Sequence, residues 1–126
     1  MLEDFYRRIG GDYRDVYYRL ENDKTVLRFL ESFLKEDSYQ NFMERYAARD
    51  EKEAFRYIHI LKGVSLNLGF GDLFQISEEI ANEFHAGFSD LTSDQLILLE
   101  RRYRTVIEAI SEELAEVDWQ QVVKGQ

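Results

Sequence analysis

The stretch Ile58-His59-Ile60-Leu61-Lys62-Gly63-Val64-Ser65-Leu66-Asn67-Leu68-Gly69 reads as helix, and the way its residues divide between two faces decides the fold. At about 100° per residue, Ala54, Tyr57, Ile58, Ile60, Leu61, Val64, Ser65 and Leu68 fall in one broad arc that faces a core. His59 points the other way. Lys62 and Gly63, three and four residues on, are its neighbours across one turn, with Phe55 and Leu66 above and below on the same outward face. A glycine inside a helix costs about 1 kcal/mol relative to alanine, and nothing around Gly63 signals a turn. Its missing side chain removes bulk where another molecule would approach the imidazole, while Lys62 adds positive charge at the same place. That combination suits a phosphoryl group.

Outward from this helix the chain keeps a helical period. No proline occurs in its 126 residues, so the commonest helix breaker is missing and the class is all-α. Leu2 to Ile9 makes a short amphipathic segment with Leu2, Phe5, Tyr6 and Ile9 on one side; Gly10-Gly11 ends it, and it is expected to pack as a lid. Asp12 caps a second short helix through Leu20, with Val16, Tyr17 and Leu20 as its apolar contacts. A helix from Asp23 or Lys24 to Lys35 carries Val26, Leu27, Leu30, Phe33 and Leu34 at core spacing. Asp37 with Gln40, then Asp50 with Glu53, have the spacing of capping boxes. They open a segment with Tyr39, Phe42, Met43, Tyr46 and Ala47 inward, and the central helix that stops at Gly69.

Gly71-Asp72, with Gln75 completing another box, starts the following helix, whose stripe is Leu73, Ile76, Ser77, Ile80, Ala81, Phe84 and Phe88; Gly87 closes it. Thr92 is the clearest start signal, with Gln95 at the third helical position and a Leu91/Leu96 staple. Leu96, Leu99, Tyr103, Val106, Ile110, Leu114 and Val117 then form an inward seam, and Trp119 to Gln126 is expected to fray. Short connections make neighbours antiparallel. The expected architecture is an up-down-up-down four-helix bundle over 23–118, preceded by short extra N-terminal helices in 1–22.

The run His59-x-x-Lys62-Gly63 followed by Asn67-Leu68-Gly69 resembles the histidine phosphotransfer (HPt) family, whose motif is His-x-x-Lys-Gly with a glycine six residues later, as Gly69 stands here. The resemblance extends over about 20 to 120. It implies a bundle whose exposed histidine accepts a phosphoryl group from, and returns it to, aspartates of response-regulator receiver domains. A separate histidine kinase is a further possible donor. The resemblance also implies attack by Nε2 and no cofactor on this chain, with Mg²⁺ expected on the receiver partner.

Length and charge limit the alternatives. A chain of 126 residues has no room for a second, nucleotide-binding unit beside this domain, so any ATP chemistry comes from elsewhere and the chain is a carrier rather than an enzyme. A net charge of -9 argues against nucleic acid and anionic membranes, which attract basic surfaces. With no cysteine, disulfides and thiolate metal sites are excluded, and no run reaches the length of a membrane span. A monomer in the cytoplasm is expected. Neither histidine has a glutamate three residues before it, and no His-Glu-x-x-His occurs. Gly69-Phe70-Gly71 lacks the third glycine of a dinucleotide loop, and the acids Glu108, Glu112, Glu113, Glu116 and Asp118 offer no Ca²⁺ loop.

Each candidate residue also has a plainer role. His59 alone would be an ordinary surface histidine; with Lys62, Gly63 and the apolar neighbours around it, the resemblance makes it the phosphoacceptor, and an imidazole is a nucleophile able to form covalent phosphoryl adducts. Lys62 is either a solvated helix lysine or a point charge steadying the phosphate. Phe55 and Leu66 either dock a partner or lie beneath the helix from Asp12 to Leu20. Asn67 and Gly69 end the helix, and His85, beside Phe74 at the margin of its own apolar stripe, is structural. The alternative function is a non-phosphorylated helical adaptor that binds a receiver or another signalling protein through the Phe55 and Leu66 face.

Overall fold

In the computed structural model, which describes residues 2–87 and 90–120, Thr92 opens the longest helix by the reciprocal pattern its sequence predicts. Its hydroxyl accepts from the Gln95 backbone N–H at 3.1 Å, and the Gln95 side chain accepts from the Thr92 N–H at 2.8 Å. Seven helices and no strand form among the described residues: α1 (Leu2–Arg8), α2 (Tyr13–Leu20), α3 (Asp23–Phe33), α4 (Ser38–Ala47), α5 (Glu51–Asn67), α6 (Gly71–His85) and α7 (Ser93–Ala115). The chain is all-helical, and no described helix is long and apolar enough to cross a membrane.

Packing follows chain order. Helix α5 lies against α4 on one side and α6 on the other, α6 against α7, and α7 meets both α3 and α1. The buried side chains are those the 3.6-residue period selects. Ala54, Ile58 and Leu61 come from α5, Leu73, Ile76 and Ile80 from α6, Leu99, Val106 and Ile110 from α7, and Val26, Leu27, Leu30 and Phe33 from α3. Leu2, Phe5, Tyr6 and Ile9 join the same core, so the first segment is an integral wall.

Three capping boxes expected from the sequence do not form, two of them because a side chain from α7 takes the glutamine. At Asp37 no side-chain cap forms; the Ser38 N–H donates to Glu36 at 3.0 Å, and the Gln40 amide donates to the Tyr103 hydroxyl at 3.0 Å. At the start of α6 the N-cap is Phe70, while the Gln75 side chain accepts from Arg102 at 3.0 Å. At Asp50 the carboxylate caps Glu53 N–H at 3.2 Å, but the Glu53 side chain turns to Arg56 instead of completing a box. Tyr17, expected inward, is 45% exposed, and Leu34 is also exposed because α3 ends at Phe33. Phe88 and the end of the chain from 121 lie outside the described residues; Trp119, expected to fray, is half-buried with the Arg28 guanidinium 5.7 Å from its ring centroid.

Where the turn between α1 and α2 crosses the turn between α5 and α6, the two backbones touch. A Cβ on Gly11 would stand 2.3 Å from the Gly69 carbonyl oxygen, and one on Gly71 would stand 2.5 Å from the Gly10 carbonyl oxygen. Only residues without side chains permit that approach.

Candidate functional site

Helix α5 carries the candidate site, and both its ends are held. At the start, Asp50 caps while Glu51 and Glu53 put negative charge where the helix dipole favours it. At the other end Gly69 takes a left-handed φ of 75°. Its N–H donates to the Leu66 carbonyl at 3.2 Å and the Phe70 N–H to the Ser65 carbonyl at 2.9 Å, the paired bonds of a glycine C-cap.

The carbonyls from Leu66 to Gly69 also accept bonds from the N-terminal segment. Arg19 of α2 donates to Leu66 O at 3.1 Å and Asn67 O at 2.7 Å, the Tyr6 hydroxyl to Leu68 O at 2.8 Å, and the Asp12 N–H to Gly69 O at 3.1 Å. Asn67 O and Leu68 O are acceptors of the kind a helix end otherwise leaves unpaired. The N-terminal helices therefore act as a cap on α5 as well as a wall of the core. Burial pushes the Tyr6 phenol well above its ordinary range, which keeps it a neutral donor.

Along α5 the two faces divide as the periodicity predicts. Ala54, Ile58, Leu61, Ser65 and Leu68 are buried and Tyr57, Ile60 and Val64 are half-buried, whereas His59 is exposed. Lys62 is half-buried one turn on and pairs with no carboxylate among the described residues. Gly63 has nothing within 4 Å of where a Cβ would stand, so neither packing nor a left-handed φ accounts for a glycine there. A side chain at that position would lean back toward the helix N-terminus and over the turn that bears His59.

Leu66 is 51% exposed. Phe55 differs from its outward expectation: it is half-buried, with its ring stacked on His59 at 6.0 Å between centroids and on His85 at 6.3 Å. His85 is thus exposed on α6 and part of the same surface, which its own helix does not reveal because the relative rotation of α5 and α6 brings it there. Arg19 and Tyr6 were equally invisible to local reading, since each reaches a carbonyl far along the chain. No cluster of three or more histidine, aspartate or glutamate side chains suited to a metal ion occurs among the described residues. Compared with family models, curated proteins and solved structures, the chain matches none of them.

Proposed function

We propose that the chain is a histidine phosphotransfer protein in which His59 carries a phosphoryl group between receiver-domain aspartates of a two-component phosphorelay. The observation that carries this reading is the exposed His59 with Lys62 one turn on and empty space over Gly63. In the reaction a P–N bond to the imidazole forms as the acyl P–O bond of the aspartyl phosphate breaks, and the aspartate leaves as carboxylate. Transfer of this kind depends mainly on position and charge stabilisation. Lys62, with no carboxylate partner among the described residues, supplies a mobile positive charge, and the receiver brings its own Mg²⁺. Leu66 on one side of His59 and the accessible part of Phe55 on the other offer apolar surface to the receiver.

The finer architecture belongs to the same proposal. Helices α3 and α4 form one layer, and α5, α6 and α7 complete an up-down-up-down bundle; the sequential packing from α4 to α7 and the contact of α3 with α7 support it. In the test, the protein is incubated with receiver domains carrying ³²P, and acid-labile, base-stable label is sought on it. Wild type and His85→Gln should take label and His59→Gln should take none, while the melting temperature of His59→Gln stays near wild type because exposed substitutions change stability by under about 0.5 kcal/mol. Label persisting on a folded His59→Gln protein would place the acceptor elsewhere.

A further inference from the structure

Phe55 makes ring contacts with both His59 on its own helix and His85 on α6. Phe55 lies one turn before His59 on α5, at an interplanar angle of 20° to its imidazole, and His85 from the last turn of α6 stands beside Phe55 at 29° with centroids 6.3 Å apart. Both separations are within the range of offset aromatic stacking, about 4.5 to 7 Å. A helical side chain leans toward the N-terminus of its helix, so His59 leans onto the turn that carries Phe55. On its other side, at Gly63, there is open space. One flank of the imidazole is walled and the opposite one is clear.

We infer that Phe55 is a positioning residue for His59: its ring, backed by His85, holds the imidazole in one orientation and leaves approach open only from the Gly63 side. An exposed histidine otherwise exchanges rotamers on the ps to ns scale, and group transfer is sensitive to displacement of the reacting atom. Tethering the acceptor ring to α6 through Phe55 reduces that freedom without covering the ring's outer edge. The inference rests on the phosphoacceptor reading of His59, and its test separates the two.

The test uses potassium phosphoramidate, a small donor that needs no docking surface. His59 nitrogen attacks phosphorus, a P–N bond to the imidazole forms, the donor's P–N bond breaks to release ammonia, and the imidazolium proton passes to water. Phe55→Leu, which keeps apolar bulk but loses the flat ring, should lower the maximal rate about 10-fold with little change in the half-saturating phosphoramidate concentration. Phe55→Tyr should restore it to within about 2-fold, and His85→Ala should lower it in the same direction by less. In wild type, NMR should show cross-ring contacts between Phe55 and the His59 ring protons, with an upfield ring-current shift that Phe55→Leu removes. An unchanged rate in folded Phe55→Leu overturns the inference, as does a wild-type spectrum without those contacts, which decides the matter even if Phe55→Leu does not fold. A rate lost in Phe55→Leu and not restored by Phe55→Tyr also overturns it. If wild type shows the contacts but takes no label from phosphoramidate or from a receiver, the phosphoacceptor reading fails and the role assigned to Phe55 falls with it.

Discussion

Gly63 and Gly69 belong to one helix and its cap, yet a side chain meets opposite conditions at the two positions. At Gly69 a Cβ would stand 2.1 Å from Val16 Cγ2, on a backbone already at φ 75°. Gly69→Ala is therefore expected to destabilise by about 2 kcal/mol or more, from left-handed strain together with displacement of α2. Gly63→Leu meets open space and restores helix propensity, so it should leave stability unchanged or raise it by up to about 0.8 kcal/mol. The same variant should slow phosphoryl transfer, since the new side chain lies over His59. Urea midpoints for both proteins, with labelling of Gly63→Leu, check the pair; a transfer rate unchanged by Gly63→Leu would remove the steric role given to that glycine. Both glycines stand out in the sequence, but only the three-dimensional surroundings tell the one that faces open space from the one that serves packing.

At the scale of elements, α2 is attached to the end of α5 through Arg19, whose guanidinium serves two carbonyls of the last turn while also pairing with Asp15. Arg19→Met keeps much of the apolar stem but loses those bonds, and should cost about 1 kcal/mol, as exposed capping bonds do. Hydrogen exchange at the amides of α2 and of the α5–α6 turn should quicken together, whereas protection at Ile80 in α6 should fall only by the global change. Exchange confined to α2 would show that Arg19 holds its own helix and not α5. Such long-range caps explain where the sequence was legible and where it was not. Thr92 with Gln95 could be read because both partners lie in one turn. Gln40 and Gln75 had the right spacing, but Tyr103 and Arg102, from α7, take their side chains. The inward arc of α5 and the exposure of His59 follow from period alone; the stack on Phe55 depends on how α6 is rotated against α5, which no single-helix pattern contains.

Across the whole molecule the N-terminal segment is bound to the remainder by a buried phenol. The Tyr6 hydroxyl is raised above its ordinary value, first by burial and in lesser part by neighbouring Tyr13, with Arg19 opposing. The unfolded chain therefore gives up this proton before the folded one does. The stabilising contribution is complete below the ordinary tyrosine value of about 10 and is lost as pH rises above it, at up to about 1.4 kcal/mol per pH unit. Tyr6→Phe should be less stable at pH 8, because Leu68 O loses its donor, but its stability should fall less steeply toward pH 11. Urea unfolding at several pH values compares the slopes; equal slopes would mean that Tyr6 ionises as freely in the folded protein as in the unfolded one. The bond from Tyr6 to Leu68 also spans 62 positions of the chain, whereas α5 and α6 are joined by a short turn. Closing so long a loop carries a larger entropic cost than forming the adjacent hairpin. The interlocked glycine turns are thus expected to close late in folding, after the helix that bears His59 has found its neighbours. A late contact governs escape from the native state more than arrival at it, so the effect of Gly69→Ala should appear chiefly as faster unfolding.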